Sequence, residues 1–338
     1  MKISDYVIDI EQSVTIINKQ QYTTIALQLP EGLKPHAQTI VSFIEQNTTA
    51  TVLVVADPCF GACDLVAHKL TSLEVDCIFH LGHTPLSTEE LYPIPTYFLN
   101  AQFDKDVTAV VEKTIPLLEG KTIGLVTTAQ HLHTLPAVKT ILKNHGLSTM
   151  ISKGDSRIAK PGQILGCNFS AATKLSSKVD SFLFLGSGIF HPIGLHMSAD
   201  KPVIAANPYT NQVQKKELSE LKDTLLRQRY GAIANSKHAK RFGILIGLKT
   251  GQQRQTQAYE LKALLDQYRK ESLLVAVEYL SPLVLESFRT IDCFVSTACP
   301  RIAIDDYLQY KTPILTPIEL EIVLGKKQWE DYAFDEIV

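Results

Sequence analysis

The chain has 338 residues, of which 45% are hydrophobic and 20% are charged. At roughly one domain per 150 residues this length predicts two or three domains, and the apolar fraction excludes a disordered chain. The net charge of −2 excludes a broadly cationic nucleic-acid binder. Because the sequence shows no signal-peptide pattern and no apolar run of about 18 residues, we expect a cytoplasmic protein without a membrane span.

Short β-branched runs predict the strands, and amphipathic segments at 35–46, 135–145 and 255–270 predict helices between them. The strand runs form three successive groups of four. Near-continuous apolar runs that alternate with helices are typical of mostly parallel sheets. The predicted strands are 24–29, 51–56, 77–81 and 96–99, then 122–126, 148–151, 182–185 and 203–206, then 242–246, 273–277, 294–297 and 313–315.

The third strand of each group opens on a similar pattern, an apolar residue and an aspartate, at Asp76, Asp180 and Asp292. A repeat of roughly one hundred residues is a domain and not a solenoid unit. We therefore predict an α/β fold of three homologous domains, each a small, mostly parallel four-stranded sheet flanked by helices. The predicted domains are residues 1–100, 101–209 and 210–338, and a division into two domains is the alternative.

Six cysteines in a chain without an export signal indicate thiols or metal ligands rather than a disulfide scaffold. Cys77 and Cys293 begin apolar strands and are predicted core residues. In open α/β sheets ligands bind beyond the carboxyl ends of strands. Each predicted domain supplies a cysteine there, so three thiolates could converge on a four-iron cluster with one open iron; three unrelated thiols are the alternative. The strand-end cysteines are Cys59, Cys63, Cys167 and Cys299.

A zinc site is a second interpretation of the first domain. The spacing Cys59-x3-Cys63, followed by His80-x2-His83, resembles that of zinc ligands, although the cysteine spacing is a loose match. The two histidines follow another strand of the same predicted domain, so convergence is feasible. No histidine is assigned a catalytic role, and no G-x-x-x-x-G-K-[ST] phosphate loop occurs in the sequence.

Ten segments, most of them at predicted strand ends, together resemble a known family, the archaeal 2-(3-amino-3-carboxypropyl)histidine synthases of diphthamide biosynthesis. They follow one another in order along nearly the whole chain, which makes the resemblance specific. The segments are 29–33 (LPEGL), 61–64 (GACD), 80–83 (HLGH), 127–131 (TTAQH), 153–157 (KGDSR), 161–168 (PGQILGCN), 186–192 (GSGIFHP), 207–210 (NPYT), 298–301 (ACPR) and 315–317 (LTP).

The resemblance implies three similar α/β domains around a central [4Fe–4S] cluster held by Cys63, Cys167 and Cys299, usually in a homodimer. Cys59 is outside the family's ligand positions. The implied enzyme is a non-standard radical transferase, because Val66 stands where the usual C-x3-C-x2-C motif needs its third cysteine. It would transfer the 3-amino-3-carboxypropyl group of S-adenosylmethionine to C2 of a histidine on translation elongation factor 2, releasing methylthioadenosine.

The resemblance also suggests partners and contacts. The partners are the elongation factor and an electron donor, with no membrane and no direct nucleic-acid binding. Arg157 and Arg301 are candidates for the methionine carboxylate, since guanidinium binds carboxylate well; plain salt bridges are the alternative. A non-catalytic, zinc- or cluster-stabilised partner subunit remains the alternative function. The weaker candidates for S-adenosylmethionine contacts are Gly154, Asp155, Ser156 and Gln163.

Overall fold

The structure, a computed structural model, describes residues 1–86 and 92–338. Its strands are β1 (Lys2–Ile3), β2 (Tyr6–Ile8), β3 (Thr24–Gln28), β4 (Thr51–Val55), β5 (Cys77–Leu81), β6 (Thr96–Leu99), β7 (Ala101–Phe103), β8 (Thr122–Thr127), β9 (Ser148–Met150), β10 (Ser181–Leu185), β11 (Val203–Asn207), β12 (Gln212–Gln214), β13 (Arg241–Gly247), β14 (Glu271–Val277), β15 (Cys293–Ser296) and β16 (Ile314–Leu315). Its α-helices are α1 (Ile10–Gln20), α2 (Ala37–Asn47), α3 (Thr108–Thr114), α4 (Leu135–Asn144), α5 (Ser170–Thr173), α6 (Phe190–Ser198), α7 (Lys216–Ser236), α8 (Gln255–Gln267), α9 (Pro282–Glu286), α10 (Arg301–Ile304) and α11 (Pro317–Val323).

The chain divides into two compact units. The first unit comprises residues 1–164, 170–187 and 204–213, and the second comprises residues 165–169, 188–203 and 214–338. Among the helices of the described ranges, even the longest, α7, lacks the apolar length needed to cross a bilayer. The division into domains at 1–100, 101–209 and 210–338 stays a prediction.

The first unit contains a parallel sheet of order β4-β3-β5-β6. All five residues of β5 are buried, as its continuous apolar run requires of a strand covered on both faces. Ile25 and Phe79 from this sheet pack in one core with Ile40 and Ile44 of α2. A small antiparallel sheet, β1-β2-β7, also lies in this unit. It was not predicted, since strands of two or three residues leave no periodic pattern.

A second sheet, of order β12-β11-β10-β8-β9, belongs almost entirely to the first unit. The strand β8 pairs in parallel with β10 and β9. In the described chain this sheet has five strands, where the sequence predicted four. The additional strand, β12, has the sequence QVQ and carries no apolar run that could have revealed it.

The second unit contains a parallel sheet of order β14-β13-β15-β16. Ile233 of α7, Leu261 and Leu265 of α8 and Leu320 of α11 cover it in a single core. Arg229 of α7 and Glu319 of α11 form an ion pair that is fully buried beside this core.

The three α/β sheets share one strand order. In each, the first strand in the chain lies between the second and the third, and the fourth follows the third. The aspartate that precedes each third strand accepts hydrogen bonds from two successive backbone amides at the start of the first strand. These bonds join Asp76 to Thr23 and Thr24, Asp180 to Lys121 and Thr122, and Asp292 to Lys240 and Arg241, at 2.7–3.0 Å. The α/β fold class with mostly parallel sheets is confirmed.

Candidate functional site

Cys63 lies in a 3-10 turn, Ala62–Asp64, that follows β4 in the first unit. The Asp64 carboxylate accepts a hydrogen bond from the backbone N of Phe60 at 2.7 Å. From the end of β3, Gln28 Nε2 donates to the backbone oxygen of Asp64 at 2.8 Å. These bonds hold the partly buried Cys63 thiol, which is not in a disulfide, at the carboxyl end of the first sheet.

Cys59, His80 and His83 meet at the same edge of the sheet. The Nε2 atom of His80 lies 2.9 Å from His83 Nδ1 and 3.9 Å from Cys59 Sγ. One ligand atom from each residue lies within 4.8 Å of the other two. Of the four residues in the predicted zinc pattern, the structure groups these three, and Cys63 is not one of that group.

Burial controls the protonation of this group. Burial lowers the pKa of His80 well below 6.5, and the nearby His83 ring lowers it further. Burial also lowers the pKa of His83 to about 4. Burial also raises the pKa of the Cys59 thiol to about 12. At neutral pH both histidines are therefore neutral, and each has a ring nitrogen with a free lone pair.

Cys167 and Cys299 lie in the second unit. Cys167 is in the loop 165–169, where Leu165 N donates to Asn168 O at 3.0 Å. Cys299 lies between β15 and α10, and both cysteines are partly buried and outside disulfides. The pKa of Cys299 is raised to about 12, first by burial and next by the neighbouring Cys167 thiol. The structure thus brings together two of the three predicted cluster ligands.

Arg301, the first residue of α10, is buried beside these thiols. Its guanidinium carbon lies 3.8 Å from the ring centre of Phe190, and its Nη2 donates to Asp305 Oδ1 at 2.8 Å. The Nη1 atom has no hydrogen-bond partner among the described residues. Burial raises the pKa of Asp305 to about 6. The Arg301 guanidinium therefore forms the salt bridge that was given as the alternative, and its Nη1 is still available as a donor.

Residues near position 336 hold the loop of Cys167. Ile337 N donates to Cys167 O at 2.8 Å, and Asn168 Nδ2 donates to Ile337 O at 2.9 Å. Phe169 N donates to a carboxylate oxygen of Glu336 at 2.6 Å. These contacts were not predicted, because the partners are far apart in sequence and no local pattern connects them.

Arg254 holds the segment that leads to Cys299. Its Nε donates to the backbone oxygen of Thr297 at 2.7 Å, and its Nη2 donates to that of Ala298 at 2.8 Å. Two further bonds, of 2.9 and 2.7 Å, join the same guanidinium to the Asp335 carboxylate. The backbone of Cys167 and the backbone of the two residues before Cys299 are thus held by residues that the sequence analysis did not identify.

Four of the candidates for S-adenosylmethionine contacts form a turn in the first unit. The backbone N of Asp155 donates to Ser170 Oγ at 2.9 Å, and the Asp155 carboxylate accepts from the backbone N of Arg157 at 2.9 Å. A Cβ on Gly154 would overlap Ile158, so the turn has no room there. The remaining member, Ser156, is exposed.

Gln163 is buried in the same unit. Its Nε2 donates to Thr84 Oγ1 at 2.6 Å, whereas its Oε1 has no partner in the described part of the chain. Cys77 and Cys293, predicted as core residues, are fully buried in β5 and β15. That prediction is confirmed.

Residues 29–333 match the family model described as a putative diphthamide synthesis protein. The chain belongs to this family. It is 36% identical to a 2-(3-amino-3-carboxypropyl)histidine synthase of Pyrococcus horikoshii over 93% of this chain and 89% of the relative. It is 31% identical to the synthase of Methanocaldococcus jannaschii over 93% and 87% of the two chains.

A solved structure agrees with this assignment to the diphthamide synthesis family. It is the crystal structure of Dph2 from Pyrococcus horikoshii with a 4Fe-4S cluster. The TM-score is 0.89 at 33% sequence identity, and the match covers 98% of this chain and 94% of that one. The family predicted from the ten segments is therefore confirmed.

Proposed function

We propose that this chain is a 2-(3-amino-3-carboxypropyl)histidine synthase that acts on S-adenosylmethionine and a histidine of translation elongation factor 2. In the net reaction a sulfur–carbon bond of S-adenosylmethionine breaks and a carbon–carbon bond forms at imidazole C2. The C2 proton is released, and methylthioadenosine leaves. The observation that carries the proposal is the pair of neighbouring thiols, Cys167 and Cys299, beside a buried guanidinium in a member of this family.

Cys63, Cys167 and Cys299 would hold a [4Fe–4S] cluster. Thiolates are the protein ligands that such clusters use, and all three cysteines are outside disulfides, partly buried and placed after strands. Burial favours the protonated thiol at Cys299, and a bound cationic iron reverses that preference. When bound, the cluster supplies one-electron chemistry, for which an electron donor is required.

Arg301 would bind the carboxylate of S-adenosylmethionine. Its Nη1 is a charged donor without a partner in the described ranges, while Asp305 and Phe190 hold the rest of the group in place. A charge-assisted bond to a carboxylate is roughly twice as strong as a neutral one. Arg157, Gln163 and the turn of Gly154, Asp155 and Ser156 remain further proposed contacts.

The remaining parts of the proposal rest on the family resemblance. They are a homodimer, a radical mechanism, a cytoplasmic location and a protein substrate rather than a nucleic acid. The near-neutral net charge of −2 supports the absence of a broad nucleic-acid surface.

The test is anaerobic reconstitution followed by reduction in the presence of S-adenosylmethionine. We expect about four irons per chain and release of methylthioadenosine rather than 5′-deoxyadenosine. The variants Cys63→Ser, Cys167→Ser and Cys299→Ser should each lose the cluster or the product, whereas Cys59→Ser should keep both. Anaerobically reconstituted protein that binds no iron, whether or not zinc is present, would instead support the non-catalytic partner subunit.

A further inference from the structure

We propose that Cys59, His80 and His83 form a second metal site, which binds a divalent transition-metal ion of the zinc type. This site is separate from the three cysteines proposed to hold the cluster. It lies in the first unit, where the loop after β4 meets the end of β5.

The three ligand atoms have the spacing of one coordination sphere. Zinc lies about 2.0–2.1 Å from histidine nitrogen and about 2.3 Å from thiolate sulfur. Tetrahedral angles then place two nitrogens about 3.3 Å apart, and nitrogen and sulfur about 3.6 Å apart. The observed separations are 2.9 Å between His80 Nε2 and His83 Nδ1 and 3.9 Å between His80 Nε2 and Cys59 Sγ. Shifts of a few tenths of an ångström bring these two pairs to tetrahedral spacing, and the third pair of ligand atoms, from His83 and Cys59, lies within 4.8 Å.

Gln28 orients the His80 ring in the way that outer-shell residues orient the ligands of a metal ion. Its Nε2 is engaged by the backbone oxygen of Asp64 at 2.8 Å, so its Oε1 faces His80 Nδ1 at 3.0 Å. An oxygen acceptor at that position requires the proton to be on Nδ1. The lone pair of His80 is then on Nε2, the atom that faces His83 and Cys59. Metal-bound histidines are held in this way by an acceptor on their other ring nitrogen.

The protonation states also suit a metal. With the lone pair of His80 on Nε2, the metal-free pair is joined by a proton on His83 Nδ1. Metal binding moves that proton to His83 Nε2 and removes the thiol proton of Cys59, so about one proton is released for each ion bound. One thiolate and two imidazoles are ligands that favour zinc over magnesium or calcium.

A bound ion would join the loop after β4 to β5. Cys59 precedes the turn of Cys63 by only a few residues, and that turn already receives a hydrogen bond from Gln28. The metal would therefore help to fix the loop that carries one proposed cluster ligand. Three protein ligands leave a fourth position for water, as in open zinc sites.

The test uses the full chain with Cys63→Ser, Cys167→Ser and Cys299→Ser combined, so that neither the cluster nor the activity affects the result. This variant is stripped of metal and titrated with Co²⁺, whose bond to a thiolate gives a charge-transfer band. We expect one equivalent of Co²⁺ to bind with that band and one equivalent of Zn²⁺ to remove it.

Adding either Cys59→Ser or His83→Gln should abolish the band, while circular dichroism verifies that each variant is folded. His68→Gln is the matched control, since its side chain is exposed in the same segment, and it should keep the band. The proposal is overturned if the background variant shows no cobalt–thiolate band, or if folded Cys59→Ser and His83→Gln variants both keep it.

Discussion

The backbone oxygen of Cys167 accepts a hydrogen bond from the backbone N of Ile337 at 2.8 Å. A loop in the middle of the chain and a segment near residue 336 are therefore one structural element. Because Asn168 and Phe169 also bind this segment, every residue from Cys167 to Phe169 has a partner there. The position of a proposed cluster ligand depends on residues that carry no thiol.

Deletion of residues 335–338 should release the Cys167 loop. The deletion removes three hydrogen bonds to that loop, each contributing on the order of 1 kcal/mol, and the Asp335 carboxylate that pairs with Arg254. We expect reconstituted protein to lose iron to a chelator at least tenfold faster than the full chain. The measurement is the decay of the cluster absorbance after chelator is added.

Glu330→Gln is the control for this deletion, because its side chain is exposed in the same terminal region. It should leave the rate of iron loss unchanged. Iron loss from the shortened chain at the rate of the full chain would contradict the role assigned to residues 335–338.

Gly166→Ala should disturb Arg301 through Phe190. A Cβ at Gly166 would overlap the Phe190 ring, and the Arg301 guanidinium carbon lies 3.8 Å from the centre of that ring. We expect the ring to move and the KM for S-adenosylmethionine to rise by about tenfold. A rise of that size corresponds to the loss of one charge-assisted hydrogen bond. The measurement is methylthioadenosine release at varied S-adenosylmethionine.

Gly231→Ala is the matched control in the same unit. A Cβ there meets nothing within 4 Å. Alanine is favoured over glycine in a helix by up to about 1 kcal/mol, so this variant should be slightly stabilised with an unchanged KM. An unaltered KM in Gly166→Ala would refute the connection from Gly166 to Arg301.

His131 should make the protein less stable in acid. It is buried against Phe103 and Tyr209, its Nδ1 has no partner in the described chain, and burial lowers its pKa to about 4. The unfolded chain binds the proton near pH 6.5 and the folded chain only near pH 4. The contribution of neutral His131 to the free energy of unfolding is therefore complete above pH 6.5. It is lost as the pH falls, by about 2 kcal/mol between pH 7 and pH 5.

The measurement is urea unfolding of the wild type and of His131→Gln at pH 7 and pH 5. Glutamine has no proton to gain, so the fall in the free energy of unfolding should be smaller in the variant by about 2 kcal/mol. His68→Gln, at an exposed position, is the control. Equal pH dependence in all three proteins would remove His131 as the cause.

The strands that sequence analysis predicted are those that carry a short apolar, β-branched run, whether the strand is fully buried, as β5 is, or only partly buried, as β4 is. β5, with the sequence CIFHL, is an example, because its composition alone identifies it. β12 and the strands of the small antiparallel sheet could not be predicted, since they are short and are stabilised by pairing and not by an apolar run.

The part of the candidate site that was predictable is the part whose position follows from where the strands end. Placing Cys167 and Cys299 beyond strands anticipated that the two thiols would be neighbours. The support from Arg254 and Ile337 was not predictable, because backbone carbonyls accept these bonds and carry no residue-specific pattern. The spacing of Cys59, His80 and His83 indicated their convergence, but not the exclusion of Cys63 from that group.

The aspartates Asp76, Asp180 and Asp292 bind backbone amides at the amino ends of their strands, whereas the proposed ligands follow the carboxyl ends. These hydrogen bonds thereby fix the strand register at the end of each sheet that is opposite to the proposed ligands. The loops at the carboxyl ends can consequently change during evolution, exchanging a thiol for an arginine or a turn for a metal ligand, while the alignment of the strands stays the same.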